Sequence, residues 1–405
     1  MRVAVIGGGP SGMAAAYAAA ITGATVTLFE SNEKLGKKLF ISGKGRCNLT
    51  NDSPIENHLV NVVSNPRFLY SAYHALSPRD LMELIESAGV PLKTERGGRV
   101  FPVSDKSSDV ISALATLLRR ANVEILLRNK VFGVEKAEKG FRLRSESGER
   151  TFNAVVICTG GITYKATGST GDGYKFAETF GHIVTDLVPS LVGIRADLPR
   201  DLSGLSLKNV ELSCMYNGKI LFREFGEMLF THGGISGPIV LTLSARINRI
   251  DLSSLSFSLD LKPALDAETL DARLVREFNA SPNKSLQNVM PSLMPKSLIS
   301  FVLSQAKIAG TRPCQSITKI ERRSLVSAIK GIVFYPLGFE EFNTAIVTSG
   351  GVSVAEIDPK TMMSRRVRGL FFAGEVLDLD ALTGGYNLQI AFSTGYLAGL
   401  HAANA

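Results

Sequence analysis

Three glycines spaced as G-x-G-x-x-G, Gly7, Gly9 and Gly12, stand directly after the apolar run Val3-Ala4-Val5-Ile6. Each has a physical task in holding a phosphate. Gly7 permits a tight strand-to-helix turn, Gly9 lets the backbone approach a pyrophosphate, and Gly12 lets the helix pack on the strand. Together with Ser11, the helix start offers unpaired N–H groups and the positive end of the helix dipole. A second apolar run ends in Glu30, 18 positions beyond Gly12, where a carboxylate can accept from ribose hydroxyls. A secretory leader is the alternative for such a start, but the glycines interrupt the apolar run that a leader requires.

Four further segments carry candidate chemistry. Residues 34–51 combine glycines with Lys38, Ser42, Gly43, Arg46, Cys47, Asn48 and Asn51, donors suited to a phosphate or a polar ring edge. Lying beside the glycine fingerprint, this segment reads as a cofactor loop rather than a basic surface loop. Residues 158–173 form a glycine-dense loop after a buried strand, with Thr159 and Gly160 at the carboxyl edge of the sheet. In residues 229–238, His232 sits among small residues, either as a proton donor titrating near neutrality or as a structural loop histidine. Residues 374–389 bring Gly374, Glu375, Asp378, Gly385, Asn387 and Leu388 to the start of a final helix. Its first amides can face the N1–C2=O edge of a flavin. Asp380 in the same stretch reads as a surface acid. Cys47 has no cysteine near it and reads as a structural thiol.

The elements that must position these residues alternate between strand and helix. After the first βαβ unit, apolar periodicity predicts helices over 78–89 and 108–120, strands over 123–127 and 131–134, and an antiparallel ribbon over 141–144 and 151–152. Residues 154–158 form the continuous apolar run of a parallel strand buried on both faces. The character changes near Pro189. Short strands over 191–196, 210–216 and 219–223 follow, the last two joined by Asn217-Gly218, a hairpin signal, with another strand over 256–262. Helical pieces broken by prolines come next, and a strand and a final helix over 387–403 close the chain. The organisation expected is 1–189 as the first part of a nucleotide-binding domain. An inserted antiparallel domain over 190–335 carries a helical subdomain at about 263–312, and 336–405 returns to the edge of that β-domain and to the second part of the first domain.

The chain has 405 residues and a net charge of +8, with 20% charged residues. No apolar stretch reaches bilayer length. The four cysteines are far apart without a C-x-x-C pair, which argues against a disulfide framework or a metal site and for a cytoplasmic setting. The basic residues are spread along the chain with no interleaved aromatics, so attraction of an anionic cofactor or substrate is expected rather than nucleic-acid binding. An RNA-associated flavoprotein acting in tRNA modification, or a non-catalytic flavin sensor, is the alternative.

Beyond the fingerprint, residues 41–51, 98–106, 166–173, 231–238 and 383–389 together resemble the aminoacetone-oxidase-like (BaiN/YhiN-type) family of bacterial FAD-dependent oxidoreductases, itself similar to the fumarate-reductase flavoproteins. The resemblance spans essentially the whole chain. It implies an α/β fold, a Rossmann-like two-part FAD-binding domain with an inserted antiparallel β-barrel-like domain and a small helical subdomain. Gly7, Gly9, Gly12 and Glu30 would hold the ADP half, Val131 would contact adenine through its backbone, and Gly374, Asn387 and Leu388 would meet the ribityl chain and ring. Tyr164 and Arg99 join His232 as candidate catalytic residues. The sequence departs from the family at Lys165, where proline commonly follows the tyrosine, and at Ala381-Leu382, where Gly-Pro is usual. The activity implied is hydride exchange between flavin N5 and a small organic substrate. No second G-x-G-x-x-G follows a strand, so NADH or NADPH would dock transiently as donor, or oxygen would reoxidise the flavin.

Overall fold

The computed structural model describes all 405 residues and divides into two compact units, Met1–Ser190 with Phe342–Ala405, and Leu191–Glu341.

The first unit is built on a five-stranded parallel sheet in the order Leu370–Phe372, Ala154–Ile157, Arg2–Ile6, Thr25–Phe29, Glu124–Leu126. Val3, Ala4, Val5 and all of Ala154–Ile157 are fully buried, as central parallel strands covered on both faces must be. The helix Pro10–Ile21 is rich in alanine, with no polar face, because it is buried on most sides. It packs backbone to backbone against the last helix, Tyr386–Ala402. A β-carbon on Gly395 would stand 2.1 Å from the Ser11 carbonyl oxygen, and one on Gly399 would stand 2.2 Å from that of Ala15. Absent side chains set this interface. The antiparallel ribbon appears as a meander of Val131–Lys136, Phe141–Ser145 and Gly148–Phe152.

Two buried histidines brace this unit. His182 Nδ1 meets Glu356 Oε2 at 3.1 Å and its Nε2 meets Ser364 Oγ at 2.9 Å. Ser364 is itself buried and accepts from the N–H groups of Arg366 and Val367, so this histidine pins a loop. His58 Nε2 meets the Asn51 carbonyl at 2.9 Å. Burial lowers the pKa of both imidazoles.

The second unit is a seven-stranded antiparallel sheet in the order Ile332–Phe334, Leu255–Asp260, Ser206–Tyr216, Lys219–Thr231, Gly234–Ser236, Ile194–Ala196, Pro336–Phe339. Its two edge strands are joined through Tyr335 alone, so the sheet curves until its edges meet. The long hairpin turns at Asn217-Gly218, both at positive φ, as a two-residue turn requires. The helical part continues past residue 312. After Ala267–Ala280 and Lys296–Ala306 comes Lys319–Lys330, opened by a capping box in which Thr318 and Glu321 each bond the other's backbone. The strand Pro336–Phe339 still belongs to this sheet, and the chain re-enters the first unit at Phe342.

Candidate functional site

A cavity of about 390 Å³ opens in the first unit where the parallel strands end, within the size range of small-ligand and cofactor sites. Its floor is the turn after Arg2–Ile6. Gly7 takes φ +106°, and a β-carbon on Gly12 would lie 1.7 Å from the Gly7 carbonyl oxygen. A β-carbon on Gly9 would meet nothing within 4 Å, so that backbone is open to the cavity. The helix Pro10–Ile21 is capped by Gly9 without a side-chain bond, and Met13 is its first residue whose N–H finds a helical acceptor, the Gly9 carbonyl. The last helix begins in the same way. Gly385 caps it without a side-chain bond, and Gln389 is the first to bond back, to the Gly385 carbonyl. Gly9, Ser11, Asn387 and Leu388 all line the cavity. Two helix N-termini, each carrying partial positive charge, thus lie on one cavity.

Charged groups on the wall are pre-oriented. Glu30 is buried, and its carboxylate accepts from the Gly8 N–H at 2.7 Å and from the Asn32 N–H and side-chain amide, each at 2.7 Å. Lys38 Nζ pairs with Glu375 Oε2 at 2.7 Å and donates to Thr163 Oγ1 at 2.7 Å, while the Thr348 N–H donates to Glu375 Oε1 at 2.9 Å. Two buried polar atoms on the lining, Asn129 Oδ1 and Thr159 Oγ1, have no protein partner.

Of the residues singled out in the sequence, Gly7, Gly9, Ser11, Glu30, Lys38, Ser42, Val131, Thr159, Gly160, Glu375, Asn387 and Leu388 line this cavity. Others stand behind it or elsewhere. Gly12 and Gly374 serve close packing, and a β-carbon on Gly374 would lie 2.5 Å from Ser11 Oγ. Beyond Ser42 the chain turns through positive φ at Gly43, Lys44, Gly45 and Cys47. Arg46 is committed to Glu95 and Asp105 and lies over the Phe101 ring. Cys47 is fully buried, burial pushes its thiol up to about 12, and it is not disulfide-bonded. Asn48 braces the last helix, its amide oxygen accepting from the Gly385 N–H at 3.0 Å. A β-carbon on Gly385 would strike the Thr50 carbonyl at 2.3 Å. The Asp378 carbonyl accepts from Asn65.

Among the candidate catalytic residues, Tyr164 is half-buried in a left-handed conformation, with Lys38 Nζ 5.9 Å from its ring centre. Arg99 is exposed and bonds the Arg96 carbonyl. His232 is exposed on the turn between Lys219–Thr231 and Gly234–Ser236 of the second unit. Asp380 corrects the reading of a surface acid. It is fully buried, accepts from Ser190 Oγ at 2.9 Å, and its pKa is raised by burial. Asn32, Asn129, Ile346 and Val347 also line the cavity without having been singled out. Asn32 follows Glu30 by two positions and was open to discovery, whereas Ile346 and Val347 carry no local signal.

Comparison with known proteins decides the family. The family model described as HI0933-like protein Rossmann domain matches residues 1–401. The chain belongs to the HI0933-like family. This is the BaiN/YhiN type of FAD-dependent oxidoreductase, and the chain is such an enzyme. A 3-dehydro-bile acid delta(4,6)-reductase of Clostridium scindens is 31% identical over 407 residues, covering 99% of each chain. A ribosomal RNA dihydrouridine synthase of Escherichia coli is 32% identical over 397 residues, covering 97% of this chain and 95% of the relative. A crystal structure of 3-ketosteroid delta1-dehydrogenase from Sterolibacterium denitrificans superposes with a TM-score of 0.53 at 15% identity, covering 99% of each chain, a likeness of fold. The cavity suits the family's FAD: two open helix N-termini for its negative groups and an oriented carboxylate for a ribose. No helix is long and apolar enough to cross a membrane.

Proposed function

We propose that this HI0933-like oxidoreductase reduces a carbon–carbon double bond conjugated to a carbonyl, with NADH or NADPH as the electron donor. The chemistry is the common denominator of the names of the two relatives, since dihydrouridine is uridine with its ring double bond saturated. The observation that carries the reading is the pair of uncapped helix N-termini on one cavity, Gly9-Pro10-Ser11 and Gly385 to Leu388. In this reading Gly7, Gly9, Ser11 and Glu30 hold the ADP half of FAD, with Gly12 setting the turn. The first amides of the last helix face the ring. Lys38, paired to Glu375, lines the wall of the same cavity. Bound FAD would supply two-electron hydride chemistry between the nicotinamide and the substrate.

The protein's own part is to orient the alkene and deliver a proton to the carbon next to the carbonyl. His232 is the proposed donor, an imidazole on a turn whose exposure leaves it accessible. Tyr164 and Arg99 are proposed to orient the carbonyl, each bearing a hydrogen-bond donor. The decisive experiment mixes FAD-loaded enzyme with NADH or NADPH without oxygen and follows flavin absorbance. Bleaching by one nicotinamide, with recovery on adding an enone steroid or a uridine-containing RNA, is expected. Absence of bleaching by either donor overturns the reading. His232→Ala is expected to keep FAD bound while lowering turnover, and unchanged kinetics would remove His232 from the reaction.

A further inference from the structure

The loop that leads into the last helix, Tyr386–Ala402, is held by asparagines. Asn51 is buried, and its side-chain amide donates to the Gly384 carbonyl at 3.1 Å and to the Gly97 carbonyl at 2.9 Å, so both of its N–H groups are engaged. The Asn48 amide oxygen accepts from the next backbone N–H along, that of Gly385. Asn387 closes the loop from the helix side. Its Oδ1 accepts from the Ala381 N–H at 2.9 Å, and its Nδ2 donates to the Ala381 carbonyl at 2.6 Å. The backbone of Asn51 is fixed in turn: it pairs with Arg99 in a sheet, and its carbonyl meets His58 Nε2 at 2.9 Å. Its neighbour Thr50 donates to Gln389 Oε1 at 2.6 Å, and Gln389 Nε2 donates to the Leu76 carbonyl and to Ser393 Oγ.

These bonds secure the helix end without spending its first amides. The N–H groups of Tyr386, Asn387 and Leu388 come before the first bond back into the helix, that of Gln389 to the Gly385 carbonyl. A cavity-lining asparagine can offer its side-chain amide to a ligand, yet that of Asn387 is committed to its own chain. On the reading above that the first amides of this helix face the flavin ring, we propose that Asn51 and Asn387 are positioning residues. They hold those amides at the separation that sets how strongly reduced flavin is favoured over oxidised. A reduced flavin carries negative charge at its N1–C2=O edge, whereas the oxidised ring is neutral, so a helix N-terminus favours the reduced form. That attraction falls with separation and is concentrated in the first turn. A loop free to retreat by a fraction of an ångström therefore costs the reduced state more than the oxidised one. Packing limits the opposite movement: a β-carbon on Gly385 would already strike the Thr50 carbonyl. Contact fixes how near the helix end comes, and the asparagines fix how far it can withdraw.

A dithionite titration of the FAD-loaded full chain against a reference dye, without oxygen, reads the flavin midpoint potential. Asn51→Ser and Asn387→Ala are each expected to lower the preference for reduced flavin about tenfold, a shift of about 30 mV to more negative potential for a two-electron couple. Ser77→Ala removes the cap of the helix Pro78–Ser87 in the same unit. It should lower the melting temperature and leave the potential alone. An unchanged potential in a flavin-loaded asparagine variant overturns the role of that residue, even where FAD binds more weakly, because equal weakening of both redox states is a structural effect. If Asn51→Ser does not retain flavin, Asn387→Ala decides, since it leaves the strand Thr50–Asn51 untouched. The ring placement is read separately from the C2=O stretch of isotope-labelled FAD, which should fall on binding to the parent. No fall defeats that placement and the proposal with it, whereas a fall with unchanged potentials defeats the asparagines alone. The titration contains neither nicotinamide nor alkene, so failure of NADH and NADPH to bleach the flavin defeats the proposed reduction and leaves the positioning role standing.

Discussion

The helices Pro10–Ile21 and Lys319–Lys330 are the same length, 12 residues, and begin in opposite ways. The second is closed on itself: Thr318 and Glu321 satisfy its first amides, Leu325, Val326 and Ile329 bury one face, and cations fill the other. The first has a glycine where a cap belongs and no polar face, and it packs through missing side chains rather than present ones. Free N–H groups at a helix end cost stability unless something external satisfies them. The contrast separates a terminus finished by its own sequence from one left open on a cavity. The last helix, Tyr386–Ala402, belongs to the open kind and meets the same cavity.

Gly12→Ala should have the largest effect, because its β-carbon would collide with backbone, the Gly7 carbonyl, which has nowhere to move. Loss of bound FAD and destabilisation of about 3 kcal/mol are expected, read by flavin absorbance and melting temperature. A yellow variant melting with the parent would break the claim that close approach defines the open helix. Lys38→Met comes next. It strips Glu375 of its partner on the cavity wall, and FAD affinity should fall about tenfold, since hydrogen bonds to charged groups are worth about 1.5–3 kcal/mol. Titration of apoprotein with FAD measures it, and unchanged affinity would place the pair outside the cofactor's reach.

On the closed side of the comparison, Thr318→Ala should cost about 1 kcal/mol in urea unfolding and leave flavin content untouched. The smallest effect is pH-dependent and confined to the first unit. His58 and His182 have folded pKa values below the ordinary 6.5, so the unfolded chain binds more protons than the folded one. Their contribution is complete above about pH 6.5 and lost as pH falls towards the folded values. Melting temperature should therefore decline from pH 7.5 to 5.5, and less steeply in His182→Gln.

Where structure follows from neighbours in the chain, the sequence was readable. Gly7, Gly9, Gly12 and Glu30 form one local unit, and Asn217-Gly218 turns the hairpin it promised. The loop after Ser42 was only half legible, because the chain turns through positive φ at Gly43, Lys44, Gly45 and Cys47, and Arg46 and Asn48 lie outside the cavity lining. Asp380 was misread since its burial depends on Ser190, distant in sequence. Ile346 and Val347 reach the wall through the pairing of Val347–Ser349 with Val188–Ser190, which no local pattern announces. The helix Lys319–Lys330 lay beyond the helical subdomain expected to end near residue 312, although Thr318 and Glu321 stand at capping-box spacing.

The parallel sheet sets an order of events during synthesis. Ala154–Ile157 gains its outer neighbour only when Leu370–Phe372 has been made, and the floor of the cavity meets its second helix later still. At about 5–20 residues per second, the early half of the first unit waits for at least several seconds while the whole of Leu191–Glu341 is translated. During that wait its apolar strand edge is open to water and to other chains. A cofactor that needed both helix ends could be captured only once Tyr386–Ala402 has been made, after the whole of the second unit.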